Sequence, residues 1–403
     1  MSRIDDLIKE YAPDGVKYNA LGDMAEIASE RVDGAALAST NYVGVDNLLP
    51  NFGGRKDADY SANSSGAIRF REGDVLLGNI RPYLKKVWFA DRDGGASPDV
   101  LTITLRAAGQ KLLVPRFLYY LLASDPFITY SMQHARGAKM PRGDKAATLR
   151  YRVPVPPLEI QREVVRVLDA FTELEAELEA ELEARKRQYS HYRDHLLAFP
   201  PGGTRWCRLG DVVKIARGAS PRPIQRFLTD SSDGVPWIKI GDVLAEGKFI
   251  TATAQRVTPA GAAKSRRIFP GDFVLSNSMS FGRPYISKIE GCIHDGWLAI
   301  RPDDGAYVPD FLFHLLRSAP IQAEFARKAG NGGAVSNLNS AIVASVMVPV
   351  PPLDEQRRIA KILDNFDTFL NDLSSGLPAE IEARRQQYAY YRDRLLSFEE
   401  AVA

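Results

Sequence analysis

Few residues of this 403-residue sequence have the type and spacing that catalysis or metal binding requires. His191 and His195 stand one helical turn apart, as two zinc ligands can, but Tyr192 occupies the position where a zinc protease carries its glutamate base. We interpret both histidines as surface or seam residues of a helix. Cys207 and Cys292 are too few and too distant in sequence for a disulfide framework or a metal cluster, so we interpret them as buried free thiols.

Other catalytic patterns are incomplete. Glu246-Gly-Lys248 resembles part of a nuclease motif. No Pro-Asp precedes it at a short distance, however, so a turn is the better interpretation. The segment also lacks the glycine spacing of a Walker-type phosphate loop. Acidic residues alternate between Glu173 and Glu183 as on a solvated helix. The sequence therefore predicts a chain that is not an enzyme and holds no metal.

The cations are numerous and unevenly distributed. The 52 Lys and Arg residues against 50 Asp and Glu give a net charge of only +2. Counted by segment, however, the net charge is +3 over residues 1–157, −4 over 158–199, +6 over 200–352 and −3 over 353–403. Two long basic segments alternating with two short acidic ones indicate two phosphate-binding surfaces joined by elements that do not bind phosphate.

Within the basic segments, clustered cations and asparagines are the candidate DNA contacts. In the first segment these are Arg69, Arg71, Arg81, Lys85, Lys86, Arg136, Lys139, Arg142 and Lys145. In the second they are Lys239, Lys264, Arg266, Arg267, Arg283, Lys288, Arg327, Lys328, Asn331 and Asn337. Arg or Lys can contact guanine and Asn can contact adenine in the major groove, while most basic residues only hold phosphate.

The chain is an internal repeat. Residues 153–162 (VPVPPLEIQR) return as 348–357 (VPVPPLDEQR), and residues 187–199 resemble 386–398. In the long segments, Leu21-Gly22-Asp23 pairs with Leu209-Gly210-Asp211, and Arg81-Pro82-Tyr83 is expected to pair with Arg283-Pro284-Tyr285. Two copies of one fold with divergent loops predict two versions of one task, each with its own specificity.

Each long segment, 1–157 and 200–352, is predicted to be an α+β domain of short strands. Strands are expected near 75–77, 86–89, 101–105, 237–240, 273–275 and 297–300, because these runs are β-branched or aromatic and lie between turn residues. One helix is expected late in each domain, around Arg116–Ala123 and Asp310–Ser318.

After each Pro-Pro the pattern becomes that of a long helix, over 158–199 and 353–403. Apolar residues recur three or four positions apart, as in a coiled-coil seam. Forty such residues span ~60 Å. Gly376 and Pro378 should interrupt the second helix. We predict that the two helices form an antiparallel coiled coil between the domains, with the start of the chain beside its end and a pseudo-two-fold, circular organisation.

The duplicated segment Pro156–Arg162 and Pro351–Arg357, together with 42–47 (YVGVDN) and 236–242 (PWIKIGD), resembles specificity subunits of type I restriction-modification systems. The resemblance covers essentially the whole chain. It implies that each α+β domain is a target recognition domain for half of a bipartite DNA sequence. It also implies that the helices set the spacer and bind two methyltransferase subunits, with two restriction-motor subunits completing the complex.

By the same resemblance, S-adenosylmethionine, ATP and Mg belong to the partner subunits, and this chain needs no cofactor. The expected spacer and docking residues are Leu158, Gln161, Arg162, Leu168, Tyr189, Tyr192, Leu353, Gln356, Arg357, Leu363, Tyr388 and Tyr391. Because no apolar run could cross a membrane and Met1–Tyr11 lacks a secretory core, we expect a cytoplasmic protein without a membrane partner.

Two alternatives remain at this stage. One is the equivalent subunit of a related system whose partner both methylates and cuts; the other is a coiled-coil scaffold whose paired domains bind protein rather than DNA. The helix itself favours a spacer role, because residues 173–184 are three consecutive Glu-Leu-Glu-Ala tetrads. Each tetrad lengthens a helix by ~6 Å, close to two base pairs of DNA.

Overall fold

The computed structural model describes residues 2–59, 66–200, 202–244, 247–277, 281–329, 337–371 and 376–401. The chain divides into two compact units, the first comprising Met1–Ala176 with Ala383–Ala403 and the second Glu177–Glu382. Both borders fall inside long helices, so each unit combines one α+β domain with segments of two helices. Among the described helices, none combines the length and the apolar character needed to cross a bilayer.

The first unit contains two four-stranded sheets and one two-stranded sheet. The first sheet has the order β2 (Ala25–Ile27), β9 (Val100–Leu105), β6 (Val75–Gly78), β7 (Val87–Phe89). The second has the order β3 (Arg31–Val32), β5 (Ala67–Phe70), β8 (Gly94–Ala96), β4 (Tyr42–Val43), and β1 (Lys17–Ala20) pairs with β10 (Arg152–Val155). The helices are α1 (Ser2–Tyr11), α2 (Leu21–Met24), α3 (Pro115–Leu122), α4 (Asp125–Gln133), α5 (Lys145–Arg150), the start of α6 (Leu158–Leu196) and the end of α12 (Leu377–Leu395).

The second unit repeats this plan, but its two larger sheets have five strands each instead of four. The first sheet has the order β12 (Val213–Arg217), β21 (Trp297–Pro302), β18 (Phe273–Ser276), β19 (Pro284–Ser287), β15 (Phe249–Ile250). The second has the order β13 (Leu228–Thr229), β16 (Gln255–Val257), β14 (Val235–Ile238), β20 (Gly291–Ile293), β17 (Arg266–Ile268), and β11 (Arg205–Arg208) pairs with β22 (Met347–Val350). The helices are α7 (Pro259–Ala263), α8 (Pro309–Arg317), α9 (Ala319–Ala329), α10 (Ser340–Ala344), α11 (Leu353–Asn371) and the start of α12 (Leu377–Leu395).

These elements confirm the predicted strands, and the predicted late helices as α3 and α8, to within one or two residues. The expectation of a single late helix in each domain is wrong, because α4 and α5 follow α3, and α9 and α10 follow α8. The expected interruption of the second long helix is also present, since α11 ends at Asn371 and α12 begins at Leu377. The backbone carbonyl of Gly376 accepts hydrogen bonds from the amides of Ala379 and Glu380, so this glycine begins the new helix. Residues 372–375 lie outside the described residues.

One predicted pairing of the repeat is wrong. The β6–β7 hairpin pairs Leu76 with Trp88, and the β18–β19 hairpin pairs Val274 with Tyr285. The counterpart of Tyr285 is therefore Trp88, not Tyr83. Tyr83 lies in the loop of its hairpin and is 48% exposed, whereas Tyr285 is 2% exposed and packs edge-on against Trp297. The two Arg-Pro-Tyr sequences are similar by coincidence, because strand pairing fixes the register.

Within each unit, the two long helices pack through aromatic residues. In the first unit the Phe171 ring lies 6.1 Å from Tyr388 and 5.6 Å from Tyr391, and Glu175 pairs with Arg385 at 2.6 Å. Rising numbers on α6 meet falling numbers on α12, so these helices are antiparallel, as predicted.

The second unit uses an equivalent aromatic contact. Tyr189 and Tyr192 lie 6.4 and 6.2 Å from the Phe366 ring.

The start of the chain lies beside its end, as expected. The amide of Val16 donates to the carbonyl of Glu399, and the hydroxyl of Tyr18 donates to the carbonyl of Phe398 at 3.0 Å. Phe398 in turn contacts Phe117 at 6.4 Å. In the second unit, Phe199 makes the equivalent contact with Phe311 at 6.3 Å. There the phenylalanine lies in the segment that joins a long helix directly to the domain, whereas Phe398 lies far along the chain from the domain that it contacts.

A buried glutamine fastens each domain to the helix that follows it. Gln161 is 0% exposed; its Oε1 accepts from the amide of Val114 at 2.8 Å, and its Nε2 donates to the carbonyls of Leu112 and Pro156 at 2.7 Å. Gln356 is also 0% exposed and makes the equivalent three bonds in the second unit. Each lost partner would leave a buried polar group unsatisfied, which costs about 1–3 kcal/mol.

A second polar junction differs between the copies. In the first unit, Tyr120 donates directly to Asp169 of α6, which also pairs with Arg116. In the second unit, His314 replaces the tyrosine. Its Nε2 lies 2.7 Å from Asp364 of α11, and its Nδ1 lies 3.1 Å from the hydroxyl of Tyr189.

Lys248 completes the second junction by pairing with Asp364 and Asp310 at 2.5 and 2.7 Å. Burial lowers the pKa of His314, outweighing the opposite effect of the hydrogen bond that its imidazole makes to the Asp364 carboxylate. A neutral imidazole satisfies both neighbours, since Nε2–H can donate to the carboxylate while Nδ1 accepts from the tyrosine.

We expect acid to destabilise the protein partly through His314. Because its folded-state pKa is depressed, the unfolded chain binds the extra proton, so stability is lost as the pH falls through the ordinary histidine pKa of about 6.5. One such group contributes a slope of at most about 1.4 kcal/mol per pH unit. The variant His314→Tyr, which copies Tyr120, should reduce the loss of thermal stability between pH 7.5 and 5.5. The other histidines are unchanged in this comparison, so equal losses in both proteins would contradict the assignment.

Candidate nucleic-acid interface

In the first unit, two basic clusters that are far apart in sequence meet. The loop joining β6 to β7 carries Arg81, and the loop joining α4 to α5 carries Arg142. The amide of Arg81 donates to the carbonyl of Pro141 at 2.8 Å, and Ile80 forms a β-bridge with Arg142. The two loops are therefore one structural feature, held by backbone hydrogen bonds rather than by side chains.

These loops border a cleft of about 380 Å³. Its lining includes Tyr42, Arg81, Lys86, Asp99 and Met140. Met140, an apolar residue within a basic loop, is 51% exposed. Cations, an aromatic ring and an exposed apolar side chain around one concave surface form an arrangement that suits the phosphates and base edges of DNA.

The backbone beside the cleft is strained. Arg81 and Lys85 have φ of 53° and 54°, and Asn51 and Phe52 have φ of 54° and 60°. The amides of Asn51 and Phe52 donate to the carbonyls of Leu84 and Lys85 at 2.9 Å, which fixes the two turns against each other. Left-handed conformations of non-glycine residues are costly and are concentrated at functional sites.

The other candidates of the first cluster are already engaged. Lys85 pairs with Asp125 at 2.5 Å, and the amine of Lys86 donates to the carbonyl of Val45 at 2.7 Å. Arg69 and Arg71 both pair with Glu30, at 3.2 and 2.9 Å, at the edge of the second sheet. Neither arginine lines the cleft.

The second cluster is more accessible. Arg136 pairs with Asp144 at 2.9 Å but remains 85% exposed. Lys139 and Lys145 are exposed and form no ion pair within the described part of the chain. Exposed ion pairs contribute only about 0–1 kcal/mol, so a phosphate can replace the carboxylate of such a pair at little cost.

In the second unit the candidates occupy several places. Lys264, Arg266 and Arg267 lie together at α7 and β17, where Arg266 donates to the carbonyl of Arg217 and Arg267 pairs with Glu290 at 3.3 Å. Lys264 and Lys288 lie over the rings of Phe227 and Phe249, at 4.9 and 4.2 Å. Lys239 is half-buried at the end of β14.

The remaining candidates lie nearer the helices. Arg283 lines a cleft of about 180 Å³ together with Arg193, Arg317 and Gln322. Arg327 pairs with Glu324 at 2.8 Å, which lowers the pKa of that carboxylate.

Two further candidates lie near α10. Lys328 donates to the side chain of Ser345 at 2.9 Å. Asn337 is exposed, while Asn331 lies outside the described residues.

The predicted spacer and docking residues divide into buried, exposed and half-buried groups. Gln161, Leu168, Gln356 and Leu363 are all 0% exposed, so of the two predicted roles they fit the spacer framework and not direct contact with a partner. Arg162 and Arg357 are exposed, and Tyr192 is 43% exposed. Leu158, Leu353, Tyr388 and Tyr391 are half-buried, and Tyr189 is buried against the helix partner.

Sequence reasoning missed Asp99 and Met140, both in the cleft of the first unit. Asp99 pairs with Arg142 at 2.9 Å. The basic residues around Met140 could have indicated that its apolar side chain is exposed, because a segment rich in cations is rarely buried. No local pattern indicates Asp99, because its partner is 43 residues away.

Comparison with known proteins supports the assignment. The chain matches the family described as "Type I restriction modification DNA specificity domain" twice, over residues 13–184 and 203–383. It is 32% identical to the "Type I restriction enzyme EcoR124I/EcoR124II specificity subunit" of Escherichia coli, over 77% of each chain. It is 31% identical to a putative type I restriction enzyme specificity subunit of Haemophilus influenzae, over 95% of this chain and 96% of that one.

Solved structures share the fold. A chain from a study of complex assembly in the type I R-M system is 22% identical and aligns over 95% of this chain and 98% of its own, with a TM-score of 0.68. The type I restriction-modification S subunit from M. genitalium aligns over 95% and 96%, with a TM-score of 0.50 and 14% identity. With both copies of the domain matched and the repeated α/β architecture shared, this chain belongs to the type I restriction-modification DNA specificity family and is a specificity subunit.

Proposed function

We propose that this chain is a non-catalytic DNA-recognition subunit, and that each of its two domains reads one half of a bipartite DNA target. The observation that carries this proposal is the contrast between scaffold and loops. The buried glutamine junctions are the same in both units. The polar residues of the surface loops differ, with Arg142 and Lys139 in one unit and Asn337 in the other. Equal scaffolds with unequal loops suit one binding mode with two sequence preferences.

The partners follow from the same proposal. Two methyltransferase subunits would dock on the long helices, where Arg162, Arg357 and Tyr192 remain exposed. Phe366 and Phe369, 36% and 48% exposed on α11, add apolar surface. Two restriction-motor subunits would complete the complex in the cytoplasm. S-adenosylmethionine, ATP and Mg would bind to those partners and not to this chain.

The proposal is tested by co-expression of the chain with its methyltransferase. We expect the two proteins to co-purify, to bind duplexes in a sequence-dependent way, and to methylate adenine in a motif of two half-sites separated by a fixed spacer. A partner that also cleaves DNA would indicate the related fused system. Co-purification without any duplex preference would favour a protein scaffold and would contradict the proposal.

The spacer between half-sites should depend on the length of α6. This helix is continuous from Leu158 to Leu196, and the border between the two units falls within its tetrads. Deletion of residues 177–180 removes ~6 Å of helix, so the spacer should shorten by about one or two base pairs, measured by methylation-site mapping.

Two variants make this prediction decisive. Glu177→Gln with Glu179→Gln keeps the helix length and should leave the spacer unchanged. A paired deletion that also removes residues 379–382 of α12 shortens both helices together. This variant tests the same prediction if the single deletion does not fold. An unchanged spacer in a folded deletion variant would show that the helix does not set the distance.

Arg266 and Arg267 should contact DNA phosphate. Replacing both with Gln removes two cations, so we expect weaker duplex binding and a slope of log K against log salt that is reduced by up to about 2. The matched control is Arg185→Gln with Lys186→Gln, which removes two cations from the surface of α6. Equal slopes for the wild type and the Arg266 and Arg267 variant would exclude this cluster from the interface.

A further inference from the structure

Arg142 of the first unit and Asn337 of the second occupy the same position of the repeat. In each unit, the next residue donates its amide to the carbonyl of an asparagine at the end of the central strand. These bonds join Gly143 to Asn79 and Leu338 to Asn277, both at 3.0 Å.

The residue after that begins a short helix in both copies. Asp144 caps the amide of Ala147 at 2.8 Å, and Asn339 caps the amide of Ile342 at 2.9 Å. The sequence does not show this equivalence, because the two loops have little sequence similarity.

The residue that faces this position also changes between the copies. The amide of Asn79 donates to the carbonyl of Asp99, and the amide of Asn277 donates to the carbonyl of Gly296, at 3.0 and 3.1 Å. Asp99 and Gly296 are therefore equivalent. The carboxylate of Asp99 holds the guanidinium of Arg142 at 2.9 Å. Where the arginine is replaced by asparagine, the acid is replaced by glycine.

In the second unit an acid at this position would displace a neighbouring side chain. A Cβ atom added at Gly296 would press into the ring of His294, whose Nδ1 accepts from the amide of Gly296 at 2.9 Å. An unpaired carboxylate beside Asn337 would also repel the phosphates of DNA. The two differences thus form a matched pair: arginine with its acid in one domain, asparagine without it in the other.

The backbone of Arg142 is fixed on both sides. Its amide and carbonyl exchange hydrogen bonds with Arg136, both at 2.9 Å, and it bridges to Ile80 on its other side. Base recognition needs a side chain in a fixed place, whereas phosphate binding does not. Lys139, at the exposed part of the same loop and without an ion pair among the described residues, has the properties of a phosphate contact.

We propose that this shared position is the base-reading position of each domain, and that Arg142, oriented by Asp99, contacts a guanine in the first half-site while Asn337 contacts an adenine in the second. This inference rests on the proposed function and specifies its chemistry. Arginine can donate two hydrogen bonds to the O6 and N7 acceptors of guanine, and asparagine pairs with the N6 donor and N7 acceptor of adenine. Asp99 acts as a positioning residue that restricts the guanidinium before DNA arrives.

The test transfers the pair from one domain to the other. The variant Asp99→Gly with Arg142→Asn, in complex with the methyltransferase, is compared with the wild type on a duplex library randomised across the first half-site. We expect one base pair of that half-site to change from guanine to adenine preference. The Arg142→Ala variant should distinguish guanine from the other bases about 5- to 150-fold less well than the wild type, and only at that base pair. Asn337→Ala should relax one adenine position in the second half-site only.

Lys139→Gln is the control, and it should weaken binding to all sequences equally. Asp99→Asn, which keeps the size of the side chain, should reduce guanine discrimination less than Arg142→Ala does. A wild-type complex without sequence preference would contradict the proposed function itself. A sequence-selective wild type whose preferences survive Arg142→Ala and Asn337→Ala would refute this assignment and leave the proposed function intact.

Discussion

The two buried glutamines are the interaction on which the rest of this structure depends. Gln161 and Gln356 each satisfy one backbone amide and two carbonyls from segments on either side of a domain–helix junction. Because these groups are removed from water, the domain cannot shift against the helix without leaving them unsatisfied. A rigid junction is what a recognition domain needs if a helix is to determine where the domain meets DNA.

That constraint explains which parts of the repeat differ and which do not. The junctions, the central hairpins and the helix caps are equivalent in both units, since each is fixed by hydrogen bonds to backbone groups. The side chains of the loops are not constrained in this way. Arg142 with Asp99 and Asn337 with Gly296 can therefore differ without disturbing the framework. The Tyr120 and His314 junctions show that even a buried polar contact tolerates exchange when the new residue satisfies the same carboxylate.

The charged side chains likewise serve both the framework and the surface loops. Most of the candidate DNA contacts of both units already pair with acids or carbonyls, as Arg267 does with Glu290 and Arg136 with Asp144. Such exposed pairs are weak, so they do not prevent phosphate binding. Lys85 pairs with Asp125 and lies 5.7 Å from the Phe52 ring, so it also stabilises the strained turn.

The sequence by itself determined the repeat, the two long helices, the strands and the family, because these depend on local periodicity and on motifs that are contiguous in the chain. It could not determine which loops meet. Arg81 and Arg142 are joined only by pairing between distant loops, and Asp99 reaches Arg142 only through that arrangement. The false match of Tyr83 with Tyr285 has the same cause. Hairpin register is set by hydrogen bonding and burial across strands, which no short sequence identity records.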